Sequence, residues 1–168
     1  MSAPYWDLRY KVQDAFAAFL VANSGGTLVL AKDWAGSPTL VPVRVGYTAE
    51  MVEDFPMVAV IADKSSRYLP DVSSQADNTR AVNVRVVIKT STDEQSGNTG
   101  DIAAETYHAE VVALVYDMLN DTGIVAALNA VAPDDCTIQD VDLGDESSDV
   151  DGNALTSTHE LTLVAMPQ

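Results

Sequence analysis

An acidic stretch in the C-terminal part of the chain carries the residue types that bind calcium. Residues 140–153 read DVDLGDESSDVDGN, and carboxylate oxygens are ligands that Ca²⁺ prefers. Aligned as an EF-hand loop, the stretch places Ser147, Asp149 and Asp151 at loop positions one, three and five. Thr158 then stands where a bidentate glutamate is needed, and no helix is predicted on either side. We therefore predict a solvated acidic hairpin loop rather than a calcium site.

A second pattern is superficially similar to the zinc site of nucleobase deaminases. His108 and Glu110 match the first half of the signature H-x-E…P-C-x-x-C. The second half fails, because Asp134 rather than a cysteine follows Pro133 and Cys136 is the only cysteine in the sequence. His108 falls on the apolar face of a predicted helix. We therefore predict a packed, hydrogen-bonded histidine there and no zinc ligand.

No other pattern points to catalysis. Residues 96–100, SGNTG, precede a predicted helix as phosphate loops do, but no Lys or Arg follows Lys89 to neutralise a phosphate. His159 stands alone in a predicted C-terminal strand. The motifs G-x-S-x-G, H-E-x-x-H and G-x-G-x-x-G do not occur. We expect no enzymatic activity, no metal, no cofactor and no catalytic or cofactor-binding residue.

Amphipathic helices are predicted on both sides of the central part of the chain. Residues 5–22 and 102–119 carry apolar side chains at spacings of three and four, with charged side chains on their other faces. The sequence NSGG at 23–26 is a strong signal for the end of the first helix. A short third helix is predicted at 124–131.

Six β-type segments complete the predicted elements. Pro42 interrupts the second of them, which suggests an edge strand or a bulge. The polar residues 63–80 and 144–157 are predicted as loops, and the first is long enough to be ordered by a partner. The predicted strands are 27–31, 39–45, 56–62, 81–90, 137–143 and 158–166.

The order of these elements, α-β-β-β-β-α-α-β-β, predicts the fold class. Strands follow one another in runs that are separated by helices, which is typical of an α+β fold. We predict one domain over residues 1–168, with a mostly antiparallel sheet packed on one face by two helices. An apolar content of 47% is sufficient for a full core.

Charge is divided unequally along the chain. Residues 1–89 hold all nine Lys and Arg and nine of the 25 Asp and Glu, whereas residues 90–168 hold sixteen carboxylates and no cation. The second half therefore carries the whole formal charge of −16. Such a surface argues against affinity for nucleic acid, anionic membranes or phosphate-rich substrates, because each of these requires a basic footprint.

Cysteine usage and hydropathy predict where the protein is made. A single cysteine excludes an internal disulfide and fits a reducing compartment. The N-terminal residues do not resemble a signal peptide. The longest apolar run, residues 15–22, is about half a membrane span. We expect a soluble intracellular product with no membrane partner.

The succession of elements resembles that of bacteriophage tail terminator proteins, also described as tail-completion or head–tail joining proteins. The features that carry the resemblance are the glycine-closed N-terminal helix, Phe55-Pro56 before the buried segment PMVAVI, the alternating strand 81–90, the long second helix and two final strands. The resemblance covers essentially the full chain. The family has no diagnostic catalytic or binding motif, so no site residue is carried over.

The resemblance implies a structural virion protein of the phage tail or neck, made in the cytoplasm of the bacterial host. Copies would form a homo-oligomeric ring, typically of about six subunits, that caps the tail tube and offers a surface to the head–tail connector. An acidic channel would let DNA pass without specific binding. The chain is longer than compact members of the family, with the excess placed at 63–80 and 91–100, which leaves a related neck or minor tail role open.

Two other classes of function compete with this interpretation. One is a soluble acidic protein-binding module, an adaptor or a nucleic-acid mimic, which would act as a monomer or dimer rather than a ring. The other is an enzyme, which would need a deep pocket lined by convergent carboxylates with raised pKa values. Oligomeric state distinguishes the first from a tail terminator.

Overall fold

The chain folds around one six-stranded sheet with helices against it. We describe it from a computed structural model over residues 5–36, 40–51, 55–67, 79–92 and 100–167. Two short 3₁₀ turns, Ala31–Asp33 and Tyr47–Met51, accompany the strands. The helices and strands are α1 (Tyr5–Asn23), β1 (Leu28–Leu30), β2 (Val41–Val45), β3 (Met57–Arg67), β4 (Arg80–Ser91), α2 (Gly100–Leu119), α3 (Ile124–Val131), β5 (Cys136–Asp151) and β6 (Ala154–Pro167).

The strands follow the order β1-β2-β3-β4-β6-β5 across the sheet. β1, β2 and β3 pair in parallel, and the remaining three pairs are antiparallel. The two edges are therefore unlike each other, because β1 has three residues and β5 has sixteen. The predicted α+β fold with a mostly antiparallel sheet is confirmed.

The main core lies between the helices and one face of the sheet, which we call the helix face. α1 packs on β3, α2 packs on β4, and the short α3 packs on α1 and β5. The apolar half of β4 faces this core at Val82, Val84, Val86 and Ile88, all fully buried. Asn129 of α3 clamps the start of β5, donating to the carbonyl of Ile138 and accepting from its N–H, both at 2.8 Å.

The opposite face, which we call the open face, has a much smaller apolar cluster. It consists of Met57, Ala59, Ile61 and Val87 beneath Ala49 of the second 3₁₀ turn. Among the described residues, no single helix has the length and apolar composition of a membrane span. α2 and α3 together do, but their axes bend by 91° where they meet.

The prediction that Pro42 marks an edge strand or bulge is wrong, because β2 lies between β1 and β3. Val41 donates its N–H to Thr27 on the β1 side at 2.9 Å. Alternation along a strand turns the nitrogen of Pro42 toward β3. Pairing with β3 begins only at Val43. Proline is tolerated here because no ladder hydrogen bond is required of its nitrogen.

The prediction of a loop over 63–80 is wrong at both ends. β3 runs on to Arg67 and pairs with β4 from Arg80. The register shifts after Ala62, and the N–H of Ala62 is satisfied by the buried side-chain oxygen of Gln13 at 3.0 Å. The prediction ends the strand at Ala62 because the apolar run stops there, whereas backbone pairing continues through the polar residues that follow. The rest of this predicted loop, 68–78, lies outside the described residues, as does 93–99 of the second proposed insertion.

The predicted acidic loop at 144–157 is also wrong, because these residues form the end of a long hairpin that is closest to its turn. β5 and β6 pair from Cys136 with Pro167 to Asp151 with Ala154. Only Gly152 and Asn153 form the turn, and Gly152 has a φ of 58°, which favours glycine. The Gly-Asn pair between alternating residues is a hairpin signal that was overlooked.

Candidate functional site

An acidic row runs along the exposed edge strand β5. Val141 and Leu143 pair with Leu163 and Leu161, whose side chains belong to the core on the helix face. Because successive side chains alternate between faces, the neighbouring carboxylates point to the open face. The exposed members of this row are Asp140, Asp142 and Asp149, with Glu160 beside them on β6. The sequence predicted the solvation of the acidic stretch 140–153 correctly, but placed Asp149 in a loop over 144–157.

A bulge between Leu143 and Glu146 interrupts this row. A Cβ atom added to Gly144 would lie 3.0 Å from the backbone oxygen of Glu160, so glycine lets the two strands approach closely. A shallow hollow of about 210 Å³ opens here, lined in part by Asp145, Glu160 and Arg85. The bulge re-aims the second half of β5 without breaking its pairing with β6.

Arg85, a cation close to the acidic row, is already engaged in ion pairs. Arg85 of β4 forms a bidentate ion pair with Asp63 and a second ion pair with Glu50. These contacts raise the pKa of the Arg85 guanidinium, so it stays charged. Lys89 donates to the backbone oxygen of Glu50 at 2.6 Å. Arg85 and Lys89 thus hold the second 3₁₀ turn and β3, and the carboxylates of the acidic row on β5 stay exposed to solvent.

His108 of α2 joins the helix to two strands on the helix face. Its Nδ1 lies 2.8 Å from the hydroxyl of Thr90, and its Nε2 lies 2.8 Å from the hydroxyl of Ser157. Ser157 also shares a hydrogen bond with Ser148 at 3.0 Å. Burial lowers the pKa of His108, which favours the neutral ring. The prediction of a packed, hydrogen-bonded histidine is confirmed.

The contact of Ser157 with His108 has the geometry of a nucleophile and its base. Access to it is lacking, since Ser157 is only 4% exposed and its hydroxyl is also engaged by Ser148. Thr90, on the other side of the ring, is fully buried. What this chain of hydrogen bonds does in the structure is fix α2 against β4 and β6.

His159 does not stand alone as the sequence suggested. Its Nδ1 lies 3.8 Å from a carboxylate oxygen of Glu146 on β5, and its ring centroid lies 6.0 Å from that of Tyr116 on α2. The Nε2 atom is buried without a hydrogen-bond partner among the described residues. Burial lowers the pKa of His159, and Glu146 opposes this in part.

The other residues of the deaminase-like pattern are not brought together. Cys136 begins β5 opposite Pro167, about ten residues along β6 from the Ser157 that His108 contacts, which is roughly 33 Å of strand. Burial raises the pKa of the Cys136 thiol to about 11, so it stays protonated. Within the described part of the chain, no three His, Cys, Asp or Glu side chains are placed to hold a metal ion.

No protein-family model matches the chain, and no curated protein matches its sequence. The resemblance to tail terminators stays a prediction, and the function must be argued from the fold, the charge distribution and the edges of the sheet.

Proposed function

We propose that this protein is a structural component of a bacteriophage tail, a tail terminator that assembles into a ring between the tail tube and the head–tail connector. The observation that carries the proposal is the separation of charge on the fold. Asp140, Asp142 and Asp149 of β5 share the open face of one sheet edge with Glu160 of β6, whereas Arg85 and Lys89 of β4 are engaged with Asp63 and the second 3₁₀ turn. Such a surface suits the wall of a DNA passage.

The physics of the passage follows from that surface. Duplex DNA binds proteins mainly by exchanging condensed counterions for Lys and Arg, and residues 90–168 offer neither. At physiological salt the repulsion acts over about 8 Å, the Debye length, so it is felt close to the wall. DNA would slide past such a wall without being retained.

The rest of the fold supports a scaffold role. The hairpin of β5 and β6 is long and is paired along its length apart from two shifts in register, and α2 contacts it through His108. Burial of Ser157 and Thr90 makes this polar chain part of the packing. A protein that transmits load between tube and connector requires such rigid attachment more than it requires an accessible pocket.

A second candidate is an acidic protein-binding module that occupies the basic surface of a partner. The edge strand β5 favours it, because sixteen residues present a row of backbone groups to which a partner strand could be added. Like charges along that edge disfavour pairing between two copies of β5 itself. The two candidates differ in oligomeric state.

Native mass spectrometry of the purified protein, alone and mixed with tail tubes, tests the proposal. We expect one closed oligomer of about six copies that binds tube ends. Duplex DNA should show no binding at physiological salt. A monomer or dimer that ignores tail tubes but forms a stoichiometric complex with a basic protein would favour the acidic binding module. Micromolar affinity of the unmodified protein for duplex DNA would contradict the proposal that DNA passes through the ring without being bound.

A further inference from the structure

The outer side of β5 presents backbone hydrogen-bonding groups to solvent. β5 is the last strand in the order β1-β2-β3-β4-β6-β5, and β6 pairs with its inner side. In an antiparallel pair, every second residue directs its N–H and C=O groups away from the neighbouring strand. Residues 142–150 are all exposed, so water reaches this edge over most of the length of the hairpin.

Two hydrogen bonds identify residues whose backbone faces outward. The N–H of Val141 donates to Oδ1 of Asp140 at 2.9 Å, and the N–H of Val150 donates to Oδ1 of Asp149 at 2.8 Å. An amide that is engaged by the preceding side chain points away from β6. Pairing is regular from Asp140 to Leu143, so alternation gives Leu143 the same outward direction as Val141.

The side chains along this edge differ between the two faces of the sheet. The outward residues Val141, Leu143 and Val150 direct apolar side chains to the helix face. Leu143 and Val150 remain 43% and 62% exposed there. The acidic row lies on the open face. Because side chains of adjacent strands interact on the same face, the edge fits a strand that is apolar on one face and basic on the other.

We propose that the outer edge of β5 binds an extended segment of another protein in which Lys or Arg alternates with apolar residues. The backbone of this segment pairs with the outward groups of β5 and adds a seventh strand to the sheet. Its apolar side chains lie on the helix face beside Leu143 and Val150, and its cations lie beside the acidic row. The inference specifies the partner of the second candidate function and does not require a ring.

A second copy of this chain does not fit the edge. Two copies of β5 place like charges side by side, which destabilises pairing. Among the strands that the structure describes, β4 alternates basic with apolar residues, but its two sides are already paired with β3 and β6. β1, the opposite edge, has three residues and no charge. A basic strand from another protein attracts the carboxylates of Asp140 and Asp149, which frees the two amides that they accept from.

Fluorescence anisotropy with labelled peptides tests the binding on the unmodified protein. The probe is a peptide of about eight residues in which Lys alternates with Val, which is long enough for a strand. We expect saturable binding of one peptide per chain, which weakens as salt is added. Two control peptides have the same charge: one groups its Lys and Val residues in two blocks, and one is methylated at its backbone nitrogens. Both should bind about tenfold more weakly or worse, because neither can pair with β5 in the proposed way.

Proline substitutions test the outward amides of β5. Leu143→Pro and Val150→Pro each remove one outward N–H and leave the hydrogen bonds to β6 in place, as proline permits on an edge strand. At least one of them should weaken binding of the alternating peptide by about tenfold. Leu143→Thr and Val150→Thr are the matched controls, because they also replace the apolar side chain but retain the amide. Each should bind the peptide more tightly than the proline variant at the same position, with urea unfolding used to verify that all four variants fold.

The outcomes separate strand addition from simple attraction of charge. Equal binding of the alternating, grouped and methylated peptides overturns the inference, because the carboxylates then attract cations without any backbone pairing. Equal affinity of the proline and threonine variants at both positions overturns it as well. A ring seen by native mass spectrometry whose subunits do not bind the alternating peptide contradicts this inference and leaves the ring standing. Selective binding of that peptide by a protein that forms no ring supports the inference and contradicts the ring alone.

Discussion

At the scale of single residues, two histidines lie where α2 meets the sheet, His108 on the helix and His159 on β6, in an environment that opposes their charged form. His108 has hydroxyl partners on both ring nitrogens, whereas His159 has one distant carboxylate and one unpartnered nitrogen. Burial lowers the pKa of both. The same packing that attaches α2 to the sheet therefore makes its attachment sensitive to acid.

We expect the free energy of unfolding to fall as the pH drops below about 6.5, the pKa of an unperturbed histidine. Below that pH the unfolded chain binds protons that the folded chain does not. The stabilisation is therefore fully present above about pH 6.5 and is lost as the pH falls toward the lowered histidine pKa of the folded state. Each histidine can contribute up to about 1.4 kcal/mol per pH unit. Urea unfolding between pH 7.5 and 5.5 measures the slope.

The double variant His108→Asn with His159→Gln isolates this contribution from that of the carboxylates. Its stability should vary less with pH than that of the wild type over the same interval. Equal slopes in the two proteins would mean that neither histidine is protected from protonation in the fold.

A second residue-scale prediction concerns the anchor of α1. Phe16 is fully buried and Phe19 is 2% exposed, and their rings meet edge to face at 5.7 Å between centroids. Phe16→Ala should therefore cost about 3–5 kcal/mol of stability. Tyr10→Ala, on the same helix but 42% exposed, should cost about 1 kcal/mol or less. A cost below about 1 kcal/mol for Phe16 would contradict the packing of α1.

At the scale of secondary-structure elements, the β5–β6 hairpin determines where the carboxylates lie. Its bulge at Gly144 is as important as its turn, because the pairing of Glu146 with His159 depends on the shift in register. Without the extra residue of the bulge, every side chain of β5 beyond it would point to the opposite face of the sheet. Val150 would then point to the open face.

Gly144→Ala tests the bulge. The added methyl would meet the backbone oxygen of Glu160 at 3.0 Å, and a backbone atom cannot swing aside as a side chain can. We expect a loss of about 1–3 kcal/mol in thermal or urea unfolding. Ser147→Ala, at an exposed position of the same strand, serves as the control and should be nearly neutral. Identical stability of the two variants would show that the strands do not approach as described.

At the scale of the whole molecule, the uneven charge of the chain becomes a property of one sheet edge. Cations of the first half form ion pairs, such as Lys11 with Asp135 and Arg85 with Asp63. The carboxylates of the acidic row on β5 are left in solvent. Their distribution between the open face and the exposed side of α2 provides a matched comparison.

Reversal of three charges on the open face should create DNA retention. We expect the triple variant Asp140→Lys, Asp142→Lys and Asp149→Lys to fold with nearly unchanged stability, because all three positions are exposed. It should bind duplex DNA at physiological salt, with a salt dependence that reports the new phosphate contacts. Fluorescence anisotropy with labelled duplex DNA measures both.

The matched control reverses three exposed carboxylates of α2, in the variant Glu105→Lys, Glu110→Lys and Asp117→Lys. It has the same net charge and should retain less DNA in the assembled ring, because α2 lies on the other side of the sheet. Equal retention by both variants would show that net charge alone matters and that the open face does not line the passage.

Local patterns determined much of the fold from the sequence. The three-to-four spacing of apolar residues located both long helices, and α3 was predicted with the bounds that the structure has. Alternation located β4 within one residue at each end. These elements can be predicted from the sequence because each signal depends only on residues close together in the chain, within a turn of helix or a few residues of strand.

Contacts between distant residues were decided by the tertiary structure. The parallel pairing of β1, β2 and β3 and the interior position of Pro42 follow from strand order, which no local pattern records. The acidic residues of β5 after Leu143 were predicted as a loop because hydrophobicity decreases at an exposed edge while backbone pairing continues. His108 meets Ser157 across 49 positions of sequence, and His159 meets Glu146 only through the register of a hairpin. The sequence determined that these side chains are polar and where charge accumulates, but their partners depend on packing among elements far apart in the chain.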